Sequence, residues 1–207
     1  MSVISPSKAF IPGTTGWTAD DLLDPEIERR WFEGRYEIVE GVLTKMPPAY
    51  MPSGKALFNL LHLLRLHIKE RSIPADIATE VDLVLGKRRV VVADAAVMTP
   101  DDDARQSELA KAAPKPKHGQ VRILVPPTLV VESISIEHEA HDREIKRRWY
   151  AEAGVPNYWL LNAYEKTLEC LVLKGGEYQL DAAGRDSDEV RPSAFPDFVI
   201  PLAEVWG

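Results

Sequence analysis

A single cysteine, Cys170, stands in 207 residues. A disulfide framework within the chain is therefore excluded, and so is a cysteine-rich zinc site. Cys170 falls in the strand-like run TLECLVL, where a buried, inert thiol is the default expectation. No apolar run approaches the roughly 20 residues needed to cross a bilayer. The opening MSVISPSKAFIPG lacks a positive start followed by an apolar core, so a signal peptide is not expected and a cytoplasmic protein is. Positive charge is also short. The formal net charge is -7, which argues against a protein that coats nucleic acid by neutralising phosphates, though not against an enzyme with a local basic patch. Absent too are internal repeats, a Gly-rich phosphate loop, a CxxC pair, HExxH and a GxSxG elbow.

What remains is an ordinary globular composition, 45% hydrophobic and 28% charged, enough for one domain with a real core. Residues 1–17, with Pro6, Pro12, Gly13 and Gly16, read as an extended N-terminal arm, and 18–207 as a single domain. Thr18 can cap a short helix with Asp20 and Asp21 in its first turn. YEIVEGVLTKM at 36–46 predicts a hairpin turning at Glu40-Gly41. From Ser53 to Arg71, Leu57, Leu60, Leu61, Leu64 and Ile68 recur at helical spacing. His62 and His67, five apart, do not share a face as a metal-binding pair would, and read as surface or boundary residues.

Ile77–Leu85 and Val90–Met98 predict a second hairpin. Residues 99–127, polar and then Pro-rich, predict a long loop with at most one helical turn. LVVESIS predicts a buried strand and VPNYWLL another, with a charged helix between them. Thr167–Leu173 and Glu177–Leu180 form a third hairpin through Gly175-Gly176. The tail, with Phe195, Phe198, Val199 and Ile200, is expected along an edge.

Two residues carry the chemistry. Asp94 is the lone carboxylate of VVVADAAVM, and Glu132 ends a buried-type strand. An ionised acid in such a run is too costly to keep bare, so it is paired, protonated or bound to a cation. Two carboxylates on neighbouring core strands can hold a divalent cation, Mg²⁺ with several waters retained. Lys146, on the helix after Glu132, can orient water or stabilise a transition state. The competing reading is structural: both acids salt-bridged to Lys146 or Arg147 at the sheet edge. Lys146 also makes an ordinary i,i+4 pair with Asp142. Trp149, Tyr158 and Trp159 read as core.

The arrangement resembles the PD-(D/E)XK nuclease superfamily, and more narrowly the Uma-two family of restriction-endonuclease-like domains. YEIVEG (36–41), VVADAAV around Asp94, LVVESIS (129–135) and DREIKRRWYAEAGVPNYWLLN (142–162) carry the resemblance. It implies a restriction-endonuclease-like α/β fold, a central mixed β-sheet flanked by helices. It implies a Mg²⁺- or Mn²⁺-dependent endonuclease hydrolysing DNA phosphodiester bonds. Asp94, Glu132 and the backbone carbonyl of Ser133 would hold the metal, Glu80 would be an additional acid, and Lys146 the catalytic lysine. Arg143, Arg147, Lys115 and Lys117 are candidate nucleic-acid contacts. A homodimer is the expected assembly for cutting two strands, although no residue pattern specifies one. Three departures stand out. Ala93 precedes Asp94 where the motif has proline, Ile134 stands where a strict E-x-K motif has lysine, and PSGKALF lacks the family's histidine at the start of its helix. The acidic balance and the missing E-x-K lysine keep a second reading open, a catalytically inactive nuclease fold serving as a binding or oligomerisation module.

Overall fold

Glu40 and Gly41 have positive φ values of 50° and 82°, the paired left-handed geometry that lets two strands fold back across a two-residue turn. β1 (Tyr36–Val39) and β2 (Val42–Lys45) close across it, Val39 opposite Val42. The structure is a computed structural model that describes residues 8–46, 51–113, 122–134 and 141–207, with the backbone alone at 141–143. A longer hairpin follows, β3 (Asp76–Gly86) and β4 (Arg89–Met98), then β5 (Leu129–Ser133), β6 (Asn157–Asn162), β7 (Thr167–Lys174) and β8 (Glu177–Arg185). One eight-stranded sheet results, in the order β2-β1-β4-β5-β6-β7-β8, with β3 also paired to β4. The β5–β6 pair is parallel and its neighbours are antiparallel, so the sheet is mixed. Among the described residues no helix is long and apolar enough to cross a membrane.

The chain forms two compact units, to both of which β3 and β4 contribute. In the first (1–48, 82–92, 104–125), Trp17, Leu22, Trp31, Ile38, Leu43 and Val90 make a core. α1 (Pro25–Phe32) enters this core behind Asp24, whose carboxylate caps the N–H of Glu26 at 2.8 Å. Asp82 accepts from Trp31 Nε1 at 2.9 Å and pairs with Arg122 at 3.4 Å. Burial raises the Asp82 pKa, against the lowering pull of Arg122 and Trp31.

In the second unit, α2 (Met51–Glu70) buries Leu60, Leu61, Leu64 and Ile68 against Leu129, Val131, Trp159 and Leu161 of the sheet. Each such side chain removed from water contributes about 1.5–3 kcal/mol. His67 is only 8% exposed, its ring 4.8 Å from that of Phe198, buried rather than at the surface or boundary as expected. It follows Leu60 and Leu64 by seven and three residues, on the same helical stripe. The tail also departs from expectation. Phe195, Phe198, Ile200, Leu202 and Val205 sit in this core rather than along an edge, because the apolar face of α2 needs covering beyond the strands. Short strands β9 (Glu189–Val190) and β10 (Ile200–Pro201) and helix α5 (Leu202–Trp206) carry them.

A 13-residue helix, α3 (Pro100–Ala112), occupies half of the segment expected to be a loop. Its cap explains it. Thr99 N and Oγ1 donate to Asp102 Oδ2 at 2.9 and 3.0 Å, and three aspartates fill the positive first turn. Cap chemistry forms this helix without apolar periodicity.

Candidate functional site

Strand parity sorts the side chains of β5. Leu129 and Val131 point into the α2 core, so Val130 and Glu132 face the other side of the sheet. β4 and β5 pair antiparallel with Ala95 opposite Val131 and Ala96 opposite Val130. One further step of that register sets Asp94 across from Glu132, where directly opposed Cβ atoms lie about 4.5–5.5 Å apart. Asp94 is partly exposed, whereas Glu132 is 2% exposed. The ladder ends here. The Ser133 N–H donates to Asp94 Oδ2 at 2.8 Å, a side chain standing where a strand carbonyl would. Behind it Ser133 Oγ lies 3.5 Å from the Ser53 carbonyl in the first turn of α2.

The opposite wall is helical. A π-helical turn, His141–Lys146, runs into α4 (Arg147–Ala153), which stops at Gly154 with φ 82°. π-turns frequently mark functional sites. Lys146 and Tyr150 are four residues apart and project from one face. Lys146 Nζ reaches Glu132 Oε1 at 3.1 Å, and the Tyr150 hydroxyl donates to the same oxygen at 2.6 Å. Lys146 and Glu132 side chains are each 3% exposed. A buried carboxylate and ammonium offset each other's desolvation only when they are this close.

The other named residues fall as follows. Glu80 is exposed on β3 at φ 51°. Arg147 is exposed and donates through Nη2 to the Tyr178 carbonyl at 2.8 Å. Burial pushes the Tyr178 hydroxyl pKa upward, with Arg147 acting against it. Lys115 and Lys117 lie outside the described residues, as do the side chains of Arg143 and Asp142. Ile134, at the position of the motif's lysine, is 1% exposed and so belongs to the interior. Among the described residues, no group of three or more His, Cys, Asp and Glu side chains gathers where one metal ion could touch them all. Tyr150 was not singled out as a site residue from sequence. Its spacing of four from Lys146 was the available signal.

The chain is thus a mixed sheet flanked by helices, with Asp94 and Glu132 on adjacent strands and Lys146 reaching Glu132 from the following helix. The family described as "Uma2: Putative restriction endonuclease" matches residues 26–203, and the chain belongs to that family. A crystal structure from Anabaena variabilis, described as a putative nuclease belonging to DUF820, is similar at a TM-score of 0.63 and 15% identity. The match covers 84% of this chain and 90% of that one. The likeness extends to the fold. A search of curated proteins returns no match.

Proposed function

We propose that the chain is a divalent-metal-dependent endonuclease that hydrolyses DNA phosphodiester bonds. The supporting observation is the convergence of Asp94, Glu132 and Lys146 at one end of the β4–β5 pair, with Lys146 Nζ 3.1 Å from Glu132. The donor set suits the metal. Two carboxylates and the Ser133 carbonyl are hard oxygen ligands, and Mg²⁺ binds through one or two carboxylates while keeping several waters. A softer or more demanding ion would need the third side chain that is not gathered here among the described residues. When bound, Mg²⁺ or Mn²⁺ supplies Lewis-acid polarisation of the phosphoryl oxygens.

The protein's own groups do the rest. Ser133 N–H orients the Asp94 carboxylate. Lys146 orients that of Glu132, and its ammonium would stabilise charge growing on the phosphate. Glu80 is proposed as an additional acid, and Arg143, Arg147, Lys115 and Lys117 as backbone-phosphate contacts. A homodimer would present two such sites to two strands.

The test is relaxation and linearisation of supercoiled plasmid in Mg²⁺ or Mn²⁺. Cleavage is expected from the wild-type chain and is lost in Asp94→Ala; cleavage unchanged in that variant overturns the assignment. One observation favours the second reading of an inactive nuclease fold: Ile134 fills the motif's lysine position and is buried. Folded protein that neither cuts nor binds millimolar Mn²⁺ would support that reading instead.

A further inference from the structure

Tyr150 is fully buried, and its hydroxyl could have been satisfied by any carbonyl nearby. Tyr178 does just that, donating to Val155 O at 2.8 Å. Tyr150 instead donates to the candidate ligand Glu132, at 2.6 Å. That length falls within the roughly 2.5–2.7 Å range of charge-assisted O–H···O⁻ bonds. Its ring is set by packing, 5.1 Å from Tyr158, which is itself 5.6 Å from Tyr178. A phenol braced this way is a fixed donor, not an adjustable one. Lys146 approaches the same atom, Oε1. Two donors on one oxygen fix the rotation of a carboxylate about its last torsion, and so the direction of the other oxygen.

We infer that Tyr150 is a positioning residue for the proposed metal centre: with Lys146 it holds Glu132 Oε1 from the helix and so sets the direction in which the carboxylate faces. The inference rests on the metal-site reading above. It goes beyond that reading by placing the control of Glu132 geometry in a hydroxyl that never touches the metal or the substrate. Partners of this kind typically alter metal affinity or activity by about 10–100-fold when removed.

The experiment titrates Mn²⁺ into the full-length wild-type, Tyr150→Phe and Tyr178→Phe proteins by electron paramagnetic resonance, with plasmid cleavage measured in parallel. Phenylalanine keeps the Tyr150 ring against Tyr158, and circular dichroism checks folding of each variant. Tyr178→Phe deletes another buried hydroxyl, one bonded to a carbonyl, so it reports the purely structural cost. The expected result is a Mn²⁺ Kd weakened about 10–100-fold in Tyr150→Phe and unchanged in Tyr178→Phe. An unchanged Kd in Tyr150→Phe, or equal weakening in both variants, overturns the positioning role and leaves the metal site standing. Mn²⁺ binding without cleavage, with the Kd pattern as expected, removes the endonuclease reading and keeps the positioning role. No Mn²⁺ binding by the wild-type protein overturns both.

Discussion

Replacing Lys146 by methionine keeps most of the buried stem and deletes only the charge. In the folded protein Glu132 would then lie 2% exposed, with the Tyr150 hydroxyl as donor but no cation at 3.1 Å. At that separation and an effective dielectric of about 20, the lost attraction is about 5 kcal/mol. Removing one member of a buried pair costs about 3–5 kcal/mol in practice. At about 2–4 °C per kcal/mol for a chain of this size, Lys146→Met should lower Tm by roughly 6–20 °C. Urea unfolding followed by tryptophan fluorescence measures the free energy directly. The double variant Lys146→Met/Glu132→Gln, which removes both charges, should recover most of the loss. Lys146→Met should also abolish plasmid cleavage, and Glu132→Gln should not restore it. A loss below about 1 kcal/mol, the size of an exposed pair, would refute the claim that this pair is held in the interior.

Burial holds the Cys170 thiol pKa well above its usual value, and the residue is 0% exposed. A disulfide reagent at pH 8 should therefore leave the native protein unlabelled and label one thiol after unfolding; rapid native labelling contradicts this. Burial raises the Asp82 pKa, so between the ordinary carboxyl value of 3.8 and its folded value the native state holds more proton than the unfolded chain. Its contribution to stability is complete below pH 3.8 and lost as pH rises through the folded pKa. An NMR midpoint for the Asp82 carboxyl at or below 3.8 would contradict this. Gly41→Ala places a Cβ 2.6 Å from Arg88 Nε at φ 82°, and should cost about 1–2 kcal/mol in urea unfolding from the left-handed backbone alone. No measurable change would mean that the β1–β2 turn relaxes freely.

Much of this was legible in the residues, for identifiable reasons. Asp94 and Glu132 stood out because each interrupts an apolar strand, and strand alternation carries that signal without tertiary information. Lys146 stood out only as a lysine on the helix after Glu132, and its catalytic role came from the family resemblance. Tyr150 was not read as part of the site, because an aromatic on an amphipathic helix reads as core. It is core by burial, and only the direction of its hydroxyl distinguishes it. α3 has no apolar periodicity to announce it, and only its cap, Thr99-Pro100-Asp101-Asp102, carries a helix start. The placement of Phe195 and Phe198 depends on an α2 face that extends past the strands, which no local pattern reports.

In the proposed function Asp94, Glu132 and the Ser133 carbonyl share one divalent cation within reach of Lys146. A Mn²⁺-soaked crystal examined at the manganese absorption edge tests this most directly. An anomalous peak is expected between the Asp94 and Glu132 carboxylates, with Lys146 Nζ facing the same space. An anomalous peak elsewhere in a protein that cuts DNA, or none at a Mn²⁺ concentration that supports cleavage, would contradict it.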